Sequence, residues 1–86
     1  MHQVRYFIAV CEERSFTRAA KRCGVTQPSL TKAIRRLEGN LGGRLFSRDH
    51  RGADLSAFGR VVRPCFYLIE RSAIDLMRAA RILNGS

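Results

Sequence analysis

Eighty-six residues leave room for one domain, and a chain of that size buries only about 60–65% of its unfolded surface, so its stability margin is thin. Sixteen Lys and Arg against seven Asp and Glu give a net charge of +9, which points to a polyanionic partner, either nucleic acid or an acidic membrane surface. No apolar run approaches the ~20 residues of a membrane span and no signal-peptide pattern is present. No carboxylate pair, nucleophile–base spacing or phosphate loop suggests an enzyme.

Residues 2–13 read as a helix, because Val4, Phe7, Ile8 and Cys11 fall at i, i+3, i+4 and i+7. Tyr6 and Val10 widen that apolar stripe beyond what one small core needs. A second helix should start after an N-cap at Ser15 and carry Phe16, Ala19, Ala20 and Cys23 inward. Gly24 ends it, since glycine adopts the left-handed backbone of a sharp turn.

Thr26 then caps a third helix with Pro28 in its first turn, where a missing N–H does no harm. Leu30, Ala33, Ile34 and Leu37 point inward; Gln27, Ser29, Thr31, Lys32, Arg35 and Arg36 face out. Two short helices joined this way form a helix-turn-helix, which places its second helix in the major groove of DNA. A bare helical hairpin would leave the polar and basic outer face unexplained. The third helix should reach about Leu41, where Gly42 and Gly43 stop it. Gly39 costs about 1 kcal/mol relative to alanine inside a helix, so fraying or an early end is expected there.

Leu45 to Arg48 and Ala53 to Leu55 read as two short strands joined by turn residues Asp49 to Gly52. They make a wing with Arg48, His50 and Arg51 at or near its tip, suited to the DNA backbone or minor groove. Ser56 caps a last helix of roughly 57–83, some 40 Å long. Phe58, Val62, Cys65, Ile69, Ala73, Leu76, Ala80 and Leu83 recur along it in steps of three and four, a coiled-coil-like seam. So long a stripe cannot be covered by 55 residues, so a homodimer through this helix is expected. Phe66, Leu68 and Met77 lie outside the seam and are expected to pack on the first helix, and Pro64 should bend the last one.

The charge is concentrated where the motif lies. Nine basic and two acidic residues between Arg18 and Arg51 net +7, whereas residues 1–17 net zero and residues 52–86 net +2. That coincidence favours nucleic acid over a membrane. Cys11, Cys23 and Cys65 show no CxxC pair and no metal-ligand spacing with His2 or His50. No metal or cofactor is expected; Cys11 and Cys23 read as small buried hydrophobes, and an odd count fits a reducing cytoplasm.

SFTRAA, VTQPSLTKAIRRLE, LG-x-x-LF-x-R and L-S-x-x-G, followed by the long helix, cover nearly the whole chain. Together they resemble the N-terminal DNA-binding region of a LysR-type transcriptional regulator. The resemblance implies a mostly α fold: a winged helix-turn-helix of three helices and a two-stranded wing over 1–55, then a linker and dimerisation helix over 56–86. It implies antiparallel pairing of the linker helices, promoter binding as dimers or tetramers, and regulation of metabolic genes in response to a small molecule. Carried over by position, Gln27, Pro28, Ser29, Thr31 and Lys32 would read bases. Ser15, Thr17, Arg18, Thr26, Arg35, Arg36, Arg48, His50 and Arg51 would contact the backbone of double-stranded DNA. Lys32 stands where the family commonly has arginine, so a point donor replaces a bidentate fork. Gly39 and Gly43 replace bulkier residues. Family members continue into an effector-binding domain that this sequence does not contain, as expected of an excised domain or of a naturally short protein. A protein-interaction module built on the long helix is the rival from another class. Within DNA binding, a transposase recognition domain or another winged-helix repressor is the alternative.

Overall fold

The computed structural model describes residues 2–47 and 53–85. Four helices follow in order: α1 (His2–Glu13), α2 (Phe16–Cys23), α3 (Gln27–Leu41) and α4 (Ala57–Gly85). Their ends are set by local chemistry. Arg14, at φ 55°, turns the chain out of α1. Ser15 is extended and its hydroxyl accepts from the Arg18 N–H, capping α2. Gly24 lies at φ 70°, and its N–H donates to the carbonyls of Ala20 and Lys21. Thr26 caps α3 by accepting from the Ser29 N–H, with Pro28 in the first turn.

The core joins α1, α2 and α3 to the segment before residue 48 and to the start of α4. Phe7 is fully buried at its centre. Its ring lies 5.5 Å from that of Phe46 and 4.4 Å from that of Phe66, and Phe16 meets Phe46 edge-on at 5.3 Å. Leu30, Ile34 and Leu37 supply the inner face of α3, and Leu45 fills the space beside them.

Several expectations are corrected here. Helix α3 reaches Leu41 and is closed by Gly42 at φ 77° as expected, whereas the early end at Gly39 does not occur. The Glu38 carboxylate accepts the Leu45 N–H at 2.7 Å, tying the helix end to the next segment. Phe66 packs on α1 as expected, whereas Leu68 and Met77 stay exposed at 67% and 62%. Phe58 and Val62, expected in the dimer seam, are half-buried against this chain's own core. The first turns of α4 therefore complete the domain, and no residue beyond Phe66 is buried among those described.

Of the expected wing, the described residues hold one antiparallel bridge, between Phe46 and Leu55. The Ser47 N–H donates to the Asp54 carbonyl and the Ser56 N–H to that of Leu45. Arg48, His50 and Arg51 lie outside the described residues. The Ser56 hydroxyl donates to the Arg44 carbonyl and accepts from the Gly59 N–H, so one side chain closes the loop and starts α4.

Gly59 explains the last letter of the L-S-x-x-G motif. A Cβ there would sit 2.2 Å from the Leu45 carbonyl oxygen and 3.0 Å from the Leu55 side chain. Backbone cannot yield as a flexible side chain can. Gly59→Ala is expected to destabilise the domain by about 3 kcal/mol, at the upper end of ordinary overpacking. A urea melt checks this; an unchanged midpoint would mean the two backbones are not in close approach.

Candidate nucleic-acid interface

The outer face of α3 follows from its inner one. Burying Leu30, Ile34 and Leu37 at helical spacing turns Gln27, Pro28, Ser29, Lys32, Arg35 and Arg36 to solvent, while Thr31 is half-buried at the border. These residues form one continuous polar and basic strip. Its N-terminal end is held by side-chain bonds. The Thr26 hydroxyl donates to the Ser29 hydroxyl at 2.8 Å, and the Gln27 amide Nε2 donates to Thr31 Oγ1 at 3.1 Å. Lys21, Lys32, Arg35 and Arg36 form no ion pair with another described residue, so their charge is free to meet an anion.

The preceding helix is different. Ser15 spends its hydroxyl on the cap, and Thr17 is exposed beside it. Arg18 donates to the Glu13 carbonyl at 2.6 Å and lies 3.7 Å from its carboxylate. It remains 65% exposed, so it is oriented rather than withdrawn. Arg22 bonds the Glu12 carboxylate at 2.6 Å and that of Glu13 at 3.4 Å. The Arg22 hydrogen bond, then that from the Tyr67 hydroxyl at 3.0 Å, hold the Glu12 carboxyl below the usual carboxylate range. Glu12 in turn raises Arg22. Burial, and then donation to Glu12, raise Tyr67, whose ring sits 5.8 Å under the Arg63 guanidinium. This network joins α1, α2 and α4, and its charges are largely spent on one another. Spacing alone did not reveal it, because Glu12 and Tyr67 stand 55 residues apart.

Sequence reasoning also passed over Arg44. It lines a groove of about 230 Å³ together with Phe16, Gln27, Thr31, Arg35 and Ser47. A second concavity runs from Arg35 and Glu38 past Gly39, Gly42 and Gly43 to Arg44. Two guanidinium groups therefore flank the channel between α3 and the segment leading to residue 48. The signal available was only a basic residue in a motif position free to vary.

Among the described residues no group of three His, Cys, Asp or Glu is placed to hold a metal, and no helix is long and apolar enough to cross a membrane. Burial pushes the Cys11 thiol up to about 11, so it stays protonated and unreactive near neutrality. Cys23 is half-buried and Cys65 is exposed.

Comparison with known proteins gives a consistent answer. Residues 1–60 match the family of bacterial regulatory helix-turn-helix proteins of the lysR type. The transcriptional regulator TfdT of Cupriavidus pinatubonensis is 40% identical over 89 residues, covering 99% of this chain and 39% of TfdT. ClcR of Pseudomonas putida is 51% identical over 83 residues, covering 92% of this chain and 28% of ClcR. The chain thus spans less than half the length of these two relatives. Among solved structures, the DNA-binding domain of BenM in complex with benA site 1 DNA superposes with a TM-score of 0.83 at 32% identity, covering 99% of this chain and 97% of that one. An OxyR mutant of Corynebacterium glutamicum gives 0.89 at 30% identity, covering 99% of this chain and 27% of the other.

Proposed function

Starting from the chain's membership of the LysR family of bacterial helix-turn-helix regulators, we propose that it binds an inverted-repeat promoter site as a homodimer, with α3 in the major groove. The observation that carries this reading is the exposed polar strip of α3, opposite a face fully committed to the core. Gln27, Pro28, Ser29, Thr31 and Lys32 lie nearest its N-terminus, the end that enters the groove in helix-turn-helix proteins. Gln27 suits adenine and Lys32 suits guanine. Ser15, Thr17, Arg18, Thr26, Arg35, Arg36 and Arg44 set the register on phosphates. Arg48, His50 and Arg51, which lie outside the described residues, would add backbone contacts.

Dimerisation is supported by the bare half of α4. Ile69, Leu76 and Leu83 follow at intervals of seven and are 45%, 68% and 80% exposed. A helix of 29 residues spans about 43 Å, most of the molecule's 51 Å length. Apolar surface of that extent, rimmed by charge, marks an interface. Cys65, Ala73 and Ala80 flank the same row. On this reading 1–55 reads DNA and 56–86 pairs the subunits, although the first turns of α4 serve both. Tetramer formation, response to a small-molecule effector and cytoplasmic residence are part of the same proposal.

Fluorescence anisotropy on a duplex enriched from random DNA tests this. Lys32→Ala is expected to weaken binding about 5- to 150-fold, equivalent to about 1–3 kcal/mol for one good base contact, with the dimer intact by sedimentation. Unchanged affinity would remove Lys32 from the reading surface. Tight binding of another protein with no DNA affinity would favour the interaction-module reading instead.

A further inference from the structure

Among the described helices, α4 packs on α1 and on neither α2 nor α3. Its first turns are fixed by the Ser56 hydroxyl, by the close approach at Gly59 and by the half-buried Phe58 and Val62. Pro64 comes next, inside the helix. A proline has no N–H to give the carbonyl four residues back, so α4 is softer between Arg60 and Pro64 than a regular helix. The exposed apolar row of Ile69, Leu76 and Leu83 lies wholly beyond that point. Its direction therefore depends on what holds α4 just after Pro64. Phe66 stacks on Phe7 with ring centroids 4.4 Å apart, and the Tyr67 hydroxyl donates to one oxygen of the Glu12 carboxylate at 3.0 Å. Arg22, in α2, donates to the other oxygen at 2.6 Å. The sense of both bonds is fixed, because an ionised carboxylate only accepts. Stacked rings keep their contact over a range of offsets and tilts, whereas a hydrogen bond weakens steeply with angle. One carboxylate thus registers α4 against the helix-turn-helix.

We propose that Tyr67 is a positioning residue that sets the angle between the dimerising part of α4 and the reading head, and thereby the spacing of the two half-sites a dimer accepts. Adding or removing one base pair turns one half-site about a tenth of a helical turn relative to the other. To follow it, the two heads must swing on their α4 helices, and the Tyr67–Glu12 bond breaks. The cost of that break discriminates against the wrong spacing. Tyr67 acts through the placement of α4, without a contact of its own to DNA. The inference rests on the symmetric-dimer reading given above.

The test takes the inverted repeat selected by wild type and remakes it with one base pair added to, or removed from, its centre. Wild type, Tyr67→Phe, Glu12→Ala and the double variant are titrated against all three duplexes at one salt concentration. The readout is the ratio of affinity for the selected spacing to affinity for the altered ones, in which a uniform change in charge or folded fraction cancels. Tyr67→Phe keeps the ring and loses the donor. It is expected to lower that ratio about 2- to 10-fold, the range for one net hydrogen bond, with the dimer intact by sedimentation and the half-site sequence unchanged. Glu12→Ala should lower it too, and Tyr67→Phe should add nothing on that background. The proposal is overturned if Tyr67→Phe leaves the ratio unchanged, weakens all three duplexes equally, or keeps its effect in the absence of Glu12. If wild type enriches no inverted repeat, the dimer reading falls along with it; a repeat whose spacing preference is indifferent to Tyr67 removes this inference alone.

Discussion

Binding to a selected duplex is expected to weaken about ten-thousandfold between roughly 50 and 200 mM monovalent salt. The figure follows from which cations are free. Of the basic residues between Arg18 and Arg51, Arg22 is neutralised by Glu12 and Glu13, and Arg18 is steered by Glu13. Arg35 and Arg36 have no ion pair among the described residues, and Arg44 flanks the same channel. Four phosphate contacts per subunit make ~8 in a dimer, and each released counterion contributes about −0.9 to the slope of log affinity against log salt, giving about −7. Arg22→Ala should leave that slope unchanged, because its charge is already spent. Arg35→Ala should lower its magnitude by about 2 across the dimer. A slope near zero would contradict the electrostatic part of the account.

Phe7→Ala is expected to destabilise the domain by about 3–5 kcal/mol. The Phe7 ring is fully buried and bridges three parts of the fold: its own helix, Phe46 in the segment after α3 and Phe66 in α4. Removing it opens a cavity that no neighbour can close without moving two other rings. A domain of this size has about 4–13 kcal/mol of stability in all. The thermal midpoint should therefore drop by about 15–30 °C, and much of the population should unfold at ambient temperature. Circular dichroism against temperature checks it. Lys32→Ala, on the exposed face, should leave the same melt within about 0.5 kcal/mol of wild type. A loss below about 1 kcal/mol for Phe7→Ala would mean the aromatic cluster does not hold α4 to the body.

Much of this fold was legible because its punctuation is chemical. Ser15, Gly24, Thr26 and Gly42 mark helix ends through bonds or backbone angles that depend on those residue types. The inner and outer faces of α3 followed from periodicity alone. What periodicity cannot supply is which distant group completes a local weakness. Gly39 suggests fraying within α3, whereas the helix runs on to Leu41 and the Glu38 carboxylate accepts the Leu45 N–H. The stripe on α4 was read as a single seam, but Phe58 and Val62 face the domain while Leu76 and Leu83 face out. A helix that serves two surfaces in turn keeps one hydrophobic period throughout. Nor does spacing show that Arg22 belongs to a network with Glu12 and Tyr67. Gly59 carried no signal beyond its place in a motif, since the need for a missing Cβ arises only where Leu45 crosses α4.

The central claim is a symmetric reader, two copies of α3 presented to one face of the duplex by paired α4 helices. Selection of bound sequences from a random duplex pool tests it most directly. The account predicts an inverted repeat with half-site centres about one helical turn, roughly 10 base pairs, apart. Enrichment of a motif without dyad symmetry, or of no motif at all, would contradict it.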